Sequence, residues 1–150
     1  MDHERRVVFV CEHGSAKSVV AAAHFNRLAR ERHVEIQAVS RGTSPDAEIA
    51  PGAARGLESD GLAWVGERPT LLTHDDVGAA ARVVTFCPLP DWFDGSAPVE
   101  TWEGIPAVSE DYGTARDAIL GQLEHLVDDL GPTAREAAKG LRSDSKRSVP

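Results

Sequence analysis

Cysteine is scarce in this sequence of 150 residues, which contains two. No apolar run approaches the roughly 20 residues that a membrane-spanning helix needs. Two cysteines in a domain of this size do not form a disulfide framework, so each thiol is either a small buried side chain or a reactive group. The first residues also lack the apolar core and cleavage site of a secretory signal. We therefore expect a cytoplasmic protein that does not bind membranes.

Positive charge is in the minority, with 16 Lys and Arg against 24 Asp and Glu and a formal net charge of -8. Because such a surface repels polyanions, we do not expect nucleic acid as a partner. Hydrophobic residues make up 41% of the chain, which is enough for the core of one domain. We predict a single domain over residues 1–141, followed by a polar, disordered tail at residues 142–150.

Short apolar runs alternate with amphipathic stretches along the chain. The runs that predict strands cover residues 6–11, 33–40, 82–87 and 99–102. The stretches that predict helices cover residues 18–32, 51–60, 73–81 and 114–130. Strands that are apolar on both faces and alternate with helices are typical of parallel sheets. We therefore predict an α/β fold, a single doubly wound domain whose four-stranded parallel sheet has helices on both faces.

Two of the predicted helices begin with the spacing of a capping box, in which a hydroxyl side chain precedes an acid by three positions. Thr73 precedes Asp76 in this way, and Thr114 precedes Asp117. Between the third and fourth predicted strands, residues 88–98 contain three prolines and predict an irregular loop.

The segment CEHGSAKS, residues 11–18, joins the first predicted strand to the first predicted helix. Ligands of open α/β sheets bind beyond the carboxyl ends of the strands, where backbone N–H groups of residues 12–18 would converge on one point. Such a nest binds an oxyanion and stabilises a thiolate, which makes Cys11 a predicted nucleophile. Gly14 suits a left-handed turn, Lys17 adds a positive charge for the anion, and Ser18 can hydrogen-bond the thiolate.

At these residues the sequence resembles the low-molecular-weight protein tyrosine phosphatases and the thioredoxin-type arsenate reductases that share their fold. Their signature is Cys, five residues, Arg and Ser, and here it is Cys11, five residues, Lys17 and Ser18. The similarity continues through residues 40–62, through VVTFC at 83–87 and through VETWEGIP at 99–106. It covers roughly residues 5 to 130.

The resemblance implies hydrolysis of a phosphate monoester, an aryl or tyrosyl phosphate, through a cysteinyl-phosphate at Cys11 without a metal or organic cofactor. It implies that Lys17 and the loop amides hold the phosphoryl oxygens and that Ser18 steadies the thiolate. The phosphate-binding residues that it indicates are Glu12, His13, Gly14, Ser15 and Ala16. The imidazole of His13 is expected to support the loop or face solvent. The expected partner is a phosphorylated small molecule, a phosphoprotein or an inorganic oxyanion.

Two positions depart from the family pattern. Lys17 replaces an arginine, and an ammonium group cannot make the bidentate contact of a guanidinium with two phosphoryl oxygens. Ile105 precedes Pro106 where the family has an Asp-Pro pair whose aspartate is the general acid. Losing general-acid catalysis typically costs about 10² to 10⁴ in rate, and least for acidic leaving groups such as phenols.

Three acidic residues lie close enough in the sequence to replace the missing general acid, namely Glu103, Glu110 and Asp111. We favour Asp111 as a catalytic residue because it lies nearest the expected lid. Glu110 and Asp111 also precede a predicted helix, where acids stabilise the helix dipole without any catalytic role.

Two other functions stay open. The first is thiol-dependent reduction of arsenate or another oxyanion through Cys11, with an external thiol donor or Cys87 resolving the adduct. Cys87 resembles the second redox cysteine of the arsenate reductases, but residues 88–95 contain no match for their third, which favours Cys87 as a core residue. The second is a regulatory module that binds oxyanions without turnover. The aromatic residues Trp92, Phe93 and Trp102 either line the substrate cleft or belong to the core.

Overall fold

Four strands form one parallel sheet within residues 5–62 and 68–131, the parts of the chain that the computed structural model describes. They are β1 (Arg5–Cys11), β2 (Ile36–Gly42), β3 (Arg82–Thr85) and β4 (Val99–Thr101). The strands lie side by side in the order β2-β1-β3-β4, and each neighbouring pair is parallel. The predicted tail at 142–150 and the end of the predicted domain lie outside the described residues.

Within the same described ranges, four helices connect and cover the strands: α1 (Lys17–Glu31), α2 (Pro51–Ser59), α3 (His74–Gly78) and α4 (Tyr112–Leu130). The predicted α/β fold with a four-stranded parallel sheet is therefore confirmed. Among the described helices, none combines the length and the apolarity that crossing a membrane requires.

Several strand boundaries differ from the sequence prediction by one to three residues, and two of these differences have a local cause in the chain. β2 begins at Ile36 rather than at residue 33, because His33 adopts a left-handed conformation (φ 57°) in the turn that follows α1. β3 ends at Thr85 rather than at residue 87, because the Thr85 hydroxyl accepts the N–H of Cys87 at 3.2 Å and turns the chain.

The two predicted capping boxes have different outcomes. Thr73 caps α3 as predicted, and its capping box with Asp76 is complete. The box at Thr114 is wrong, because α4 begins two residues earlier and Asp111 is its N-cap. The Asp111 carboxylate accepts the Thr114 N–H at 3.0 Å. An aspartate can cap a helix that has a threonine three positions later, and a threonine can cap a helix that has an acid three positions later. The spacing alone therefore does not show which of the two residues is the N-cap.

Alternate residues of β1 pack against opposite layers. Val7 and Phe9 belong to a large apolar cluster with α1 and α4, while Val8 and Val10 belong to a smaller cluster that includes Val77 of α3. The period of two along a strand explains this division, because successive side chains point to opposite faces of the sheet. β1 is therefore buried on both faces. This burial holds the strand in place and so fixes the position of its last residue, Cys11.

The aromatic residues proposed as cleft walls lie elsewhere. Trp102 is 3% exposed and packs edge-to-face on Phe9 in the large apolar cluster, with ring centroids 5.8 Å apart. Phe93 packs against the smaller cluster, and Trp92 is exposed and lies against His74 with centroids 4.0 Å apart. The core interpretation is correct for Trp102, and the cleft interpretation is wrong for all three, because the cleft described below is lined by other residues.

A buried polar network joins α1, α2 and α4. Asp60, which caps the C-terminus of α2, accepts hydrogen bonds from Tyr112 at 2.7 Å and from Arg116 at 2.9 Å. His24 of α1 lies 3.3 Å from the same carboxylate and is 3% exposed. Burial, followed by the positive charge of Arg27, lowers the pKa of His24 below its usual 6.5 despite the attraction of Asp60.

This lowered pKa predicts that acid destabilises the protein through His24. Below about pH 6.5 the unfolded chain protonates this histidine while the folded protein keeps it neutral, so the free energy of unfolding falls as the pH falls. One such group contributes at most about 1.4 kcal/mol per pH unit. Urea denaturation between pH 7.5 and 5.5 should show a smaller slope in His24→Gln than in the wild type. Equal slopes would contradict the assignment of this pH dependence to His24. The Asp60 carboxylate does not contribute between these pH values, because its pKa is lowered.

Candidate active site

Cys11 is the last residue of β1 and lies at the carboxyl edge of the sheet, opposite Gly42 of β2. Its side chain is 8% exposed, and residues 12–16 lead from it directly into α1. We call residues 12–16 the phosphate loop. The buried apolar strand on one side and the helix on the other hold both ends of this loop.

Carbonyl groups of Cys11 and of the phosphate loop are held by the segment 43–50. Four of them accept backbone N–H groups of the segment 43–50 in the pairs Cys11 with Thr43, Glu12 with Ser44, His13 with Asp46 and Ser15 with Ala50. In a trans peptide the N–H of the next residue points opposite to the carbonyl, so the amides of residues 12, 13, 14 and 16 turn the other way. Within the described residues, these amides donate to no protein acceptor.

A close contact between two glycines brings the loop onto the sheet. Gly14 has φ 60°, a left-handed conformation that glycine adopts without strain. A Cβ on Gly42 would lie 2.8 Å from the nitrogen of Gly14, and a Cβ on Gly14 would lie 2.9 Å from the nitrogen of Gly42. The two backbones therefore pack at a distance that no side chain allows, and Gly14 serves this contact rather than lining the cleft.

A chain of two hydroxyls supports the sulfur. The Ser18 Oγ lies 2.9 Å from the Cys11 Sγ, as the sequence prediction requires, and the Ser40 Oγ donates to the Ser18 Oγ at 2.7 Å. Either atom can be the donor in the contact between Ser18 and Cys11, and the Ser18 hydroxyl is the donor when the sulfur is a thiolate. Both serines are buried. Sequence reasoning missed Ser40; its position near the end of the strand next to β1 was the available signal.

A cavity of about 390 Å³ opens over Cys11. The phosphate loop contributes Glu12, His13, Ser15 and Ala16 to its lining, followed by Lys17 at the start of α1. The opposite walls are residues 50–53, residues 86–87 and residues 107–109. Phe86 is the aromatic residue of this lining, so the walls are otherwise small and largely apolar.

Lys17 is the first residue of α1 and lines the cavity. In the described part of the chain, no side chain forms an ion pair or hydrogen bond with its ammonium group. A cation at a helix N-terminus is disfavoured by the helix dipole unless an anion lies close by. The position of Lys17 is thus suited to an anion held by the loop amides.

The segment after β4 brings no carboxylate to this cavity. Ile105 is 9% exposed and packs in the large apolar cluster, while residues 107–109 reach the cavity wall. Asp111, the favoured general acid, is the N-cap of α4 and is absent from the lining. Hydrogen bonds from Thr114 and Gly113 lower the pKa of Asp111, so this carboxyl is ionised near neutral pH and lacks the proton that a general acid donates. Glu110 is also absent from the lining, whereas Glu103 lines a neighbouring cavity of about 320 Å³.

Cys87 shares the cavity with Cys11 and is half-buried. It also packs against the smaller apolar cluster, so the core interpretation describes only part of its surroundings. Burial raises the pKa of the Cys87 thiol, and the negative charges of Cys11 and Glu12 also raise it. Hydrogen bonds from Thr85 and Thr43 act in the opposite direction. Over residues 5–62 and 68–131, no three His, Cys, Asp or Glu side chains are grouped as metal ligands.

A family profile described as Low molecular weight phosphotyrosine protein phosphatase matches residues 6–88. The chain belongs to this family. The matched region contains the phosphate loop, its supporting segment 43–50 and Cys87, so the family assignment covers most of the site. Comparison with curated protein sequences gives no significant match.

Solved structures share the family fold. An arsenate reductase from Archaeoglobus fulgidus is 28% identical, with 83% of this chain and 98% of the other covered and a TM-score of 0.61. YfkJ from Bacillus subtilis is 16% identical, with 86% and 96% covered and a TM-score of 0.76. A thioredoxin-dependent arsenate reductase from Corynebacterium glutamicum is 23% identical, with 84% and 61% covered and a TM-score of 0.67. The match thus spans about three fifths of that last protein.

The hydroxyl chain predicts how fast Cys11 reacts. Iodoacetamide at pH 6.5 should alkylate Cys11 faster than Cys87, and inorganic phosphate should protect it. Ser40→Ala should slow this alkylation about 2- to 10-fold, the effect of one hydrogen bond worth roughly 0.5–1.5 kcal/mol. Peptide mass spectrometry separates the two thiols. Ser44→Ala, an exposed serine whose backbone N–H is retained, is the matched control, and equal rates in both variants would exclude this role of Ser40.

Proposed function

We propose that the protein hydrolyses phosphate monoesters, with aryl phosphates as its preferred class, through a cysteinyl-phosphate at Cys11. The observation that carries the proposal is the convergence of the Cys11 sulfur with the amides of the phosphate loop. Loop amides and Lys17 hold the equatorial oxygens while the sulfur attacks phosphorus. The partner in this proposal is a phosphorylated small molecule or a phosphoprotein.

The reaction has two steps. In the first, an S–P bond forms as the P–O bond breaks, and the leaving group departs with the bonding electron pair. In the second, water attacks phosphorus, the S–P bond breaks, and phosphate and the Cys11 thiolate are released while a proton passes to solvent. Ser18 donates to the sulfur in the resting and released states and so stabilises the leaving thiolate.

The walls of the cavity favour a leaving group that needs no proton. Residues 107–109, which occupy the side of the cavity next to α4, are Ala107, Val108 and Ser109. None of them is a carboxylic acid, so this side of the cavity offers the leaving oxygen no proton donor. A phenolate, with a conjugate acid near about pKa 10, departs under these conditions more easily than an alkoxide.

Arsenate reduction is the second candidate, favoured by the presence of Cys87 in the same cavity. In that reaction the Cys11 thiolate attacks As(V) with loss of water. A second thiol then attacks the Cys11 sulfur, so that a disulfide forms, two electrons pass to arsenic and arsenite leaves. The raised pKa of Cys87 argues against it as the attacking thiolate, which places this candidate second.

One comparison of variants separates these functions. Wild-type protein should hydrolyse an aryl phosphate far faster than an alkyl phosphate, Cys11→Ser should abolish turnover, and Cys87→Ser should retain it. Thiol-dependent arsenate reduction lost in Cys87→Ser, with a disulfide between Cys11 and Cys87 in the wild type, would instead establish the reductase. A third outcome is that phosphate protects Cys11 from alkylation while the protein neither hydrolyses aryl phosphates nor reduces arsenate. That outcome would establish an oxyanion-binding module.

Lys17→Arg should raise the kcat/KM for aryl phosphates about tenfold, the effect of one further charge-assisted hydrogen bond worth roughly 1.4 kcal/mol. A guanidinium supplies two parallel donors where the ammonium supplies a point charge. Lys17→Gln, which removes the charge, should lower kcat/KM and serves as the opposite control. Unchanged activity and unchanged phosphate affinity in Lys17→Arg would indicate a loop built for another anion.

A further inference from the structure

Glu12 places a carboxylate on a loop that binds oxyanions. Within the part of the chain that the structure describes, it is the one acidic side chain that lines the Cys11 cavity. Its formal charge cancels that of Lys17, and the Cys11 thiolate adds a further negative charge. A phosphoryl dianion bound there therefore meets a lining that is negative overall, apart from the dipoles of the loop amides.

The carboxylate of Glu12 has no structural task in the loop. Its side chain is 66% exposed, and its carboxylate lies 3.9 Å from the Nε2 of His13. The loop is held through the Glu12 carbonyl, which accepts the Ser44 N–H at 2.7 Å. The His13 ring lies closer to Asp46, at 3.3 Å, and the Ser15 hydroxyl donates to Asp46 as well. The Glu12 carboxylate thus remains free to meet a ligand at the mouth of the cavity.

The charge of Glu12 acts on the interior of the cavity as well as on its mouth. Burial is the main cause of the raised pKa of the Cys87 thiol, which lines the same cavity, and the charge of Glu12 acts in the same direction. A negative charge in this position disfavours substrates with an acid beside the phosphoryl group and favours substrates with a cation there. Lys17, which also lines the cavity, lies at the start of α1. In the proposed function its ammonium group pairs with the phosphoryl oxygens, so it does not repel a cation beside them.

We propose that Glu12 selects phosphate monoesters that carry a cationic nitrogen beside the phosphoryl group. This inference rests on the proposed function and specifies its substrate class. The cation can belong to a small molecule, as an amine, or to a protein, as a Lys or Arg that flanks the phosphorylated side chain. In both cases its charge pairs with the Glu12 carboxylate while the loop amides hold the phosphoryl oxygens.

Matched substrates test the selection without changing the leaving group. One set consists of three phosphotyrosine peptides that differ in having Lys, Gln or Glu on both sides of the phosphotyrosine. A second set compares 3-(aminomethyl)phenyl phosphate, whose cationic amine lies on the same side of the ring as the phosphoryl group, with its N-acetyl derivative. The wild type should prefer the Lys peptide to the Glu peptide and the amine to its acetyl derivative. The loss of the cation is the change that the two sets share, so the preference for the Lys over the Gln peptide is compared with the preference for the amine over its acetyl derivative. The larger of these two preferences identifies the source of the cation.

Glu12→Gln should reduce the preference for the amine over its acetyl derivative, and for the Lys over the Gln peptide, about fourfold, the factor for two unit charges about 5 Å apart in water. The preference for the Lys over the Glu peptide should fall further, by about the square of that factor, because the flanking charge changes sign. The preference of the wild type should also fall as salt is added. Glu48→Gln removes the same charge from an exposed residue outside the lining and should leave the preference unchanged. A preference in Glu12→Gln equal to that of the wild type, or an equal loss in both variants, would overturn the proposal.

A binding measurement keeps this test independent of turnover. Peptides with phosphonomethylphenylalanine in place of phosphotyrosine are not hydrolysed, and their protection of Cys11 against alkylation reports occupancy. The Lys peptide should protect at a lower concentration than the Glu peptide, and Glu12→Gln should narrow the difference. If no substrate turns over but this difference is present, the proposed hydrolysis fails while the selection by Glu12 stands. If substrates turn over and no difference appears, the selection fails while the hydrolysis stands.

Discussion

The site depends on the orientation of a few peptide planes. Backbone carbonyls that leave water must find donors, and those of Cys11, Glu12, His13 and Ser15 find them in the N–H groups of the segment 43–50. Because each peptide is planar, satisfying the carbonyls on one side turns the amides to the other. The contact between Gly14 and Gly42 lets the two segments approach closely enough for these bonds to form. The direction of the loop amides is therefore a consequence of how the segment 43–50 holds the loop carbonyls.

Much of the fold and the centre of the site were predictable because they follow from local patterns. The apolar residues of β1 have no polar face, which is typical of a strand covered on both sides, and Cys11 follows from the end of that strand. Ser18 is separated from Cys11 by one loop and a helix start, and this spacing brings the two side chains to 2.9 Å. The family signature also lies within these eight residues, from Cys11 to Ser18. It therefore predicted the same pairing of Cys11 with Ser18.

Features that depend on distant contacts were not predictable. Ser40 supports the nucleophile through Ser18, a contact across 22 residues that depends on the register of two strands. Asp111 lies close to the expected lid in the sequence, yet the start of α4 uses its carboxylate as a cap. The cleft walls were misjudged for a similar reason: the packing of Phe9 draws Trp102 into the core, and Phe86 is left to line the cavity.

The way the loop is held also limits how far this site can be transplanted. The eight residues from Cys11 to Ser18 contain the nucleophile and the amides, but the donors for their carbonyls belong to a segment that begins 25 residues later, at Thr43. A graft of the octapeptide onto another strand and helix would leave those carbonyls without partners and the amides without a fixed direction. The smallest portable unit therefore extends from β1 through the first turn of α2, and protein engineers should treat it as one module.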